Sequence, residues 1–115
     1  MSEPIRDPEL TREQVEDMLR RTLAEYGLTD PASWRDLQLR GPELFTEQLT
    51  EKQLERAKTF YIDGKGWLHR ITEMPNGYLH NALAALKRGR VEGLQVFTVL
   101  AMDAEVKRRE ESQDA

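Results

Sequence analysis

With 115 residues, no cysteine and a net charge of −4, the chain is sized for one domain, and a disulfide scaffold, a thiolate zinc site and a cysteine nucleophile are all excluded. A hydrophobic share of 38% beside a charged share of 33% describes a modest core under a heavily ionised surface, a composition in which oligomerisation would be unsurprising. Residues 1–57 carry 8 basic and 13 acidic side chains and residues 58–115 carry 9 and 8, so the first half is a poor nucleic-acid footprint.

The first ten residues are polar and acidic, and no apolar stretch approaches membrane-spanning length, so the expectation is a chain neither secreted nor embedded in a membrane. Reducing cytoplasm is the compatible compartment. Residues 1–10, with Pro4 and Pro8, read as a flexible lead-in, 11–111 as a single helical domain and 112–115 as a tail.

Thr11 and Gln14 form a capping-box signature, and Val15, Met18, Leu19, Leu23 and Tyr26 recur at helical spacing up to Gly27, which predicts a helix over about 12–26. Asp30-Pro31 starts a short second helix carrying Trp34 and Leu37 inward until Gly41-Pro42 breaks it. Thr50 with Gln53 repeats the capping box for a third helix through Leu54, Ala57 and Lys58.

The apolar period then changes from helical to alternating. Residues 60–71 read as a β-hairpin around Asp63-Gly64-Lys65-Gly66, whose glycines permit positive φ. A fourth helix buries Leu79, Ala82, Leu83 and Leu86 and ends at Gly89 in a left-handed cap. The last, from about Gly93 to Glu111, is apolar over much of its first half, as expected of a helix central to the core or to a subunit interface. The fold class is therefore α+β and mainly helical, with about five helices and one two-stranded hairpin packed on the last two.

Candidate chemistry is sparse. His69 and His80 form no paired metal motif, and His69 reads as an exposed strand residue or one satisfied by a backbone carbonyl. Ser2, Ser33 and Ser112 offer no nucleophile setting, and no carboxylate pair is singled out by an apolar environment. No catalytic residue, metal or cofactor is expected. Trp34 and Trp67 read as packing residues, since large aromatics usually fill cores or interfaces. Lys107-Arg108-Arg109, followed by Glu110 and Glu111, reads as a solvated helix end.

One flank of the fourth predicted helix is more suggestive. At 100° per residue, Tyr78, Asn81, Ala85 and Arg88 gather beside the apolar stripe, joining an aromatic platform, an amide and a guanidinium. Such a set can stack a base or clamp a polar ligand, with Tyr78 as platform, Asn81 reading an edge, and Arg88 or Lys87 neutralising phosphate. The bland reading is that Asn81 ties the helix to the hairpin and that Lys87, Arg88 and Arg90 answer the helix dipole.

From Asp63 onward the sequence resembles short proteins encoded by bacteriophages and prophages. Their pattern is an Asp-Gly turn, a short strand, a Met and a helix of the form His-Leu-x-Asn-Ala-Ile-x-x-Leu-x-Arg. Asp63-Gly64, Met74, Leu79, Asn81, Ala82, Leu83, Leu86 and Arg88 match it, Tyr78 replaces the first His, Gly66-Trp67 lengthens the hairpin, and nothing before about Phe60 is covered. The resemblance implies a viral origin and a hairpin-helix-helix unit rather than a reaction. The resulting expectation is a non-enzymatic, homo-oligomeric phage-type accessory protein in the host cytoplasm that binds a host protein or a small nucleotide signal, with a counter-defence role in view. A nucleic-acid-binding regulator using the basic cluster at 87–90 is the alternative.

Overall fold

The computed structural model describes residues 9–27, 49–89, 91 and 93–113. Four α-helices stand among them, α1 (Arg12–Glu25), α2 (Glu51–Thr59), α3 (Asn76–Arg88) and α4 (Leu94–Gln113), with strands β1 (Phe60–Ile62) and β2 (Leu68–Arg70) and a 3-10 turn at Ile71–Glu73. Among the described residues the count is thus four, against about five expected for the chain. The helix expected after Asp30-Pro31, with Trp34, lies outside the described residues.

Both capping boxes form: Thr11 and Thr50 accept from the backbone N–H of Gln14 and Gln53, whose side chains accept in return from the cap N–H groups. These reciprocal bonds satisfy N–H groups that a helix start otherwise leaves unpaired. The two starts lie side by side, joined by the Leu10 N–H to Leu49 carbonyl bond at 2.7 Å and a bridge between Glu9 and Thr50. Gly27, at φ +68°, ends α1 in the left-handed region, as expected. Gly89 does not follow suit: its φ of −86° and ψ of −178° are extended, and its N–H simply continues to the Ala85 and Leu86 carbonyls.

α4 is the central element, packed against α1, α2, α3 and the 3-10 turn. Its residues Val96, Phe97, Val99, Leu100, Ala101 and Met102 are all buried, too many for one helical stripe, because neighbours cover it on several sides. Leu54 of α2 and Leu79 of α3 meet it with no exposed surface. Each such leucine contributes about 1.5–3 kcal/mol relative to exposure. No helix among the described residues is long and apolar enough to cross a membrane.

The charged second half of α4 is not the free end its composition suggests. Glu105, 5% exposed, accepts from Arg108 at 2.6 and 3.0 Å and from Arg109 at 2.8 Å. Arg109 also donates to Asn76 Oδ1 at 2.7 Å and to the Thr72 carbonyl at 3.2 Å, and Lys107 caps the Gly27 carbonyl at 2.9 Å. The basic run therefore binds α4 to the end of α1, the 3-10 turn and the start of α3.

Candidate functional site

The hairpin is two-stranded and antiparallel, with Phe60 opposite Arg70, Tyr61 opposite His69 and Ile62 opposite Leu68. Directly opposed residues share a face. Tyr61 and His69 therefore occupy one face, where Tyr78 of α3 meets them with ring centroids 6.2 and 5.2 Å away. Phe60, Ile62, Leu68 and Arg70 occupy the other, with the Arg70 guanidinium 5.1 Å from the Phe60 ring centroid.

Asp63 pins the turn. Its Oδ1 accepts from the N–H groups of Lys65 and Trp67, both at 2.9 Å, and its Oδ2 lies 2.8 Å from His69 Nε2. The His69 hydrogen bond, then the Trp67 N–H and further contacts, hold the Asp63 carboxyl below its usual range. His69, expected to be exposed or satisfied by a backbone carbonyl, is instead partly buried and paired with a carboxylate. The Tyr78 hydroxyl lies 3.4 Å from His69 Nε2. Gly66 at φ +88° completes the turn, a conformation that side-chain-bearing residues rarely adopt. Asp63 and His69 were missed as a pair; an Asp two residues before the Lys65 N–H was the legible sign of a side-chain-closed turn.

Of the four residues predicted to hold a ligand, Tyr78 alone enters this cluster. Asn81 is exposed, and Asn76 rather than Asn81 makes the amide tie between elements, through Arg109. Lys87 is held by Asp103 at 2.8 Å, a carboxyl that burial raises above its ordinary range while Lys87 pulls it back. Arg88 is exposed in the last turn of α3. Ten residues of helix set Tyr78 and Arg88 about 15 Å apart along the axis. Among the described residues no three His, Asp or Glu side chains gather as metal ligands.

What the structure exposes instead is a set of large apolar side chains around the hairpin, on both of its faces. Trp67, expected to pack, is 68% exposed, and Ile62, Leu68 and Tyr78 are 57%, 45% and 38% exposed. Hairpin alternation tells which residues share a face, not which face the core covers. Beside the hairpin runs a groove of about 540 Å³ between β1, α2 and the start of α4, floored by Ala57, Phe60, Ile62, Leu68, Leu86 and Leu94. Its polar rim is Gln53, Arg56, Gln95 and Thr98, the last spent on the Ala57 carbonyl at 2.8 Å. This is the composition of a binding groove, apolar with a few polar groups.

A larger cleft of about 660 Å³ lies between the end of α1, α2, the 3-10 turn and α4. Its cations are already engaged: Lys58 by Glu25 and Glu55, Lys107 by the Gly27 carbonyl, Arg108 by Glu105, and Arg70 on the Phe60 ring. The hairpin groove is therefore the stronger candidate despite its smaller volume. Comparison with protein-family models, curated proteins and solved structures finds nothing that matches this chain.

Proposed function

We propose that the chain is a non-enzymatic binding protein of the bacteriophage accessory type, which docks a host protein on its hairpin face and so alters a host process such as defence. The observation that carries this reading is the exposure of Ile62 and Leu68 on a hairpin face that lines an apolar groove, with Trp67 exposed next to Leu68 and Tyr78 exposed against the opposite face. Water-exposed apolar patches rimmed by polar groups mark interaction surfaces, and Trp and Tyr are the residues that most often dominate binding energy.

The nucleotide version is less well supported. Lys87 is engaged by Asp103, and Tyr78 and Arg88 stand too far apart to close on one base and its nearest phosphate. The nucleic-acid reading loses Lys87 in the same way, while Arg90 lies outside the described residues.

Quantitative co-isolation from bacterial host cells tests the proposal, comparing the wild-type chain with Trp67→Ala and Leu68→Ala. A host protein retained by the wild type and reduced at least tenfold by both substitutions, with helical content unchanged, is the expected result. Equal retention by all three chains, or no retained protein, overturns it.

A further inference from the structure

We infer that the docked partner adds an extended, acidic segment as a third strand along the outer edge of β1. This rests on the docking reading above and specifies its chemistry. Two backbone bonds fix which groups of β1 are free. Asp63 N–H donates to the Trp67 carbonyl at 3.0 Å, and Phe60 N–H turns away from β2 to the Arg56 carbonyl.

In an antiparallel ladder hydrogen-bonded and non-hydrogen-bonded pairs alternate. Asp63 with Trp67 and Tyr61 with His69 are then the bonded positions, while Phe60 with Arg70 and Ile62 with Leu68 are not. Both backbone groups of Ile62 and the carbonyl of Phe60 consequently point outward. Among the described residues no further strand pairs with β1.

The groove lies along this edge, since residues 60–63 all line it and β2 contributes Leu68 alone. An added strand would bond Ile62 twice through the backbone and lay alternate side chains into the groove. Charge selects among such strands. Two charged residues line the groove, Arg56 and Asp63, and both Asp63 oxygens are committed to the turn and His69. Arg56 has no ion pair among the described residues, and among them it is the cation that lines the groove. A carboxylate on the partner complements it.

Two pools of capped hexapeptides serve as probes, alternating apolar residues with Glu in one and Lys in the other, titrated against the full chain while amide exchange at Ile62 is followed. The Glu pool should bind about fivefold more tightly, the difference expected of an exposed charge contact, and Arg56→Glu should reverse the order. The Ile62 amide should exchange at least tenfold more slowly in the complex. Ile62→Pro, tolerable on an outward edge because the lost N–H is not part of the hairpin ladder, should abolish binding. Should the proline disturb the hairpin, N-methylation of the peptide residue facing Ile62 removes a bond from the other side and should weaken binding tenfold.

Binding without Ile62 protection, indifference to the Arg56 reversal, or no binding of either pool at millimolar concentration overturns the inference. So does protection of Ile62 by self-association of the chain without peptide. Host-protein retention lost in Trp67→Ala, together with failed peptide tests, would remove strand addition and leave hairpin docking standing.

Discussion

Glu105→Gln is the sharpest test of how α4 is fixed to the rest of the chain. The substitution keeps an acceptor oxygen and the side-chain volume but removes the charge facing Arg108 and Arg109. Loss of one partner from a fully buried ion pair costs about 3–5 kcal/mol. The Arg108 side chain is 63% exposed, so its arm is screened, whereas Arg109 is 18% exposed and fixed by Asn76 and the Thr72 carbonyl. Discounting the exposed arm leaves about 2 kcal/mol. For a domain of this size that lowers Tm by about 8 °C.

The pH dependence carries a definite sign. Arg108 first, with Arg109 and against the desolvation that opposes them, holds the Glu105 carboxyl below its ordinary range. A carboxyl lowered in the folded state stabilises fully above its unfolded value, about pH 4.3, and loses that contribution as pH falls through the folded value. Asp103, raised by burial, has the opposite slope, but it is common to both proteins and cancels in their difference. Urea denaturation of wild type and Glu105→Gln from pH 7 to pH 3 should show a gap that narrows with acid. A gap below 0.5 kcal/mol at pH 7, or one that widens on acidification, would refute the buried-clamp account.

The caps, the core and the hairpin turn each have a measurable consequence of their own. Thr50→Ala removes one half of a capping box and the acceptor for Gln53 N–H, so denaturant unfolding should show a loss of about 1 kcal/mol. Leu100→Ala, at a site with no exposed surface, should cost about 3 kcal/mol, whereas Trp67→Ala should stay within about 0.5 kcal/mol of wild type; similar losses would place Trp67 in a core. Protonating Asp63 releases the Lys65 and Trp67 N–H groups. Because its carboxyl is lowered, the turn should hold above about pH 3.9 and loosen only as pH falls through the lowered value, read from those two amide resonances. A midpoint at or above the ordinary aspartate range would contradict the Asp63–His69 bond.

Local signals in the sequence translate directly into structure. Thr11 with Gln14 and Thr50 with Gln53 name two helix starts, and the expected 12–26 differs by one residue from Arg12–Glu25. The hairpin at 60–71 is equally plain, because the Asp-Gly-Lys-Gly turn and the alternation agree. What the sequence hides is contact over distance. Arg109 meets Asn76 and Thr72 from more than 30 positions away, so a basic run that reads as solvated becomes a clamp.

The site follows the same division. Tyr78 lies on the helix flank where spacing places it, but its partners His69 and Tyr61 arrive from the hairpin, and Lys87 is drawn to Asp103 on α4. Helical angle alone groups Tyr78 with Arg88 while ignoring their axial separation. Trp67 reads as a core or interface residue from its size, and the tight turn carries it into solvent, which removes the core alternative.

Site-specific photo-crosslinking in bacterial host cells tests the central claim most directly. A benzophenone amino acid replaces Lys65, exposed in the hairpin turn, in one chain and Arg20 on α1, whose side chain is 74% exposed, in the other. Docking through the hairpin predicts a discrete host-protein adduct from position 65, none from position 20, and competition by excess unmodified chain. Absence of an adduct from position 65, or the same adducts from both positions, would contradict it.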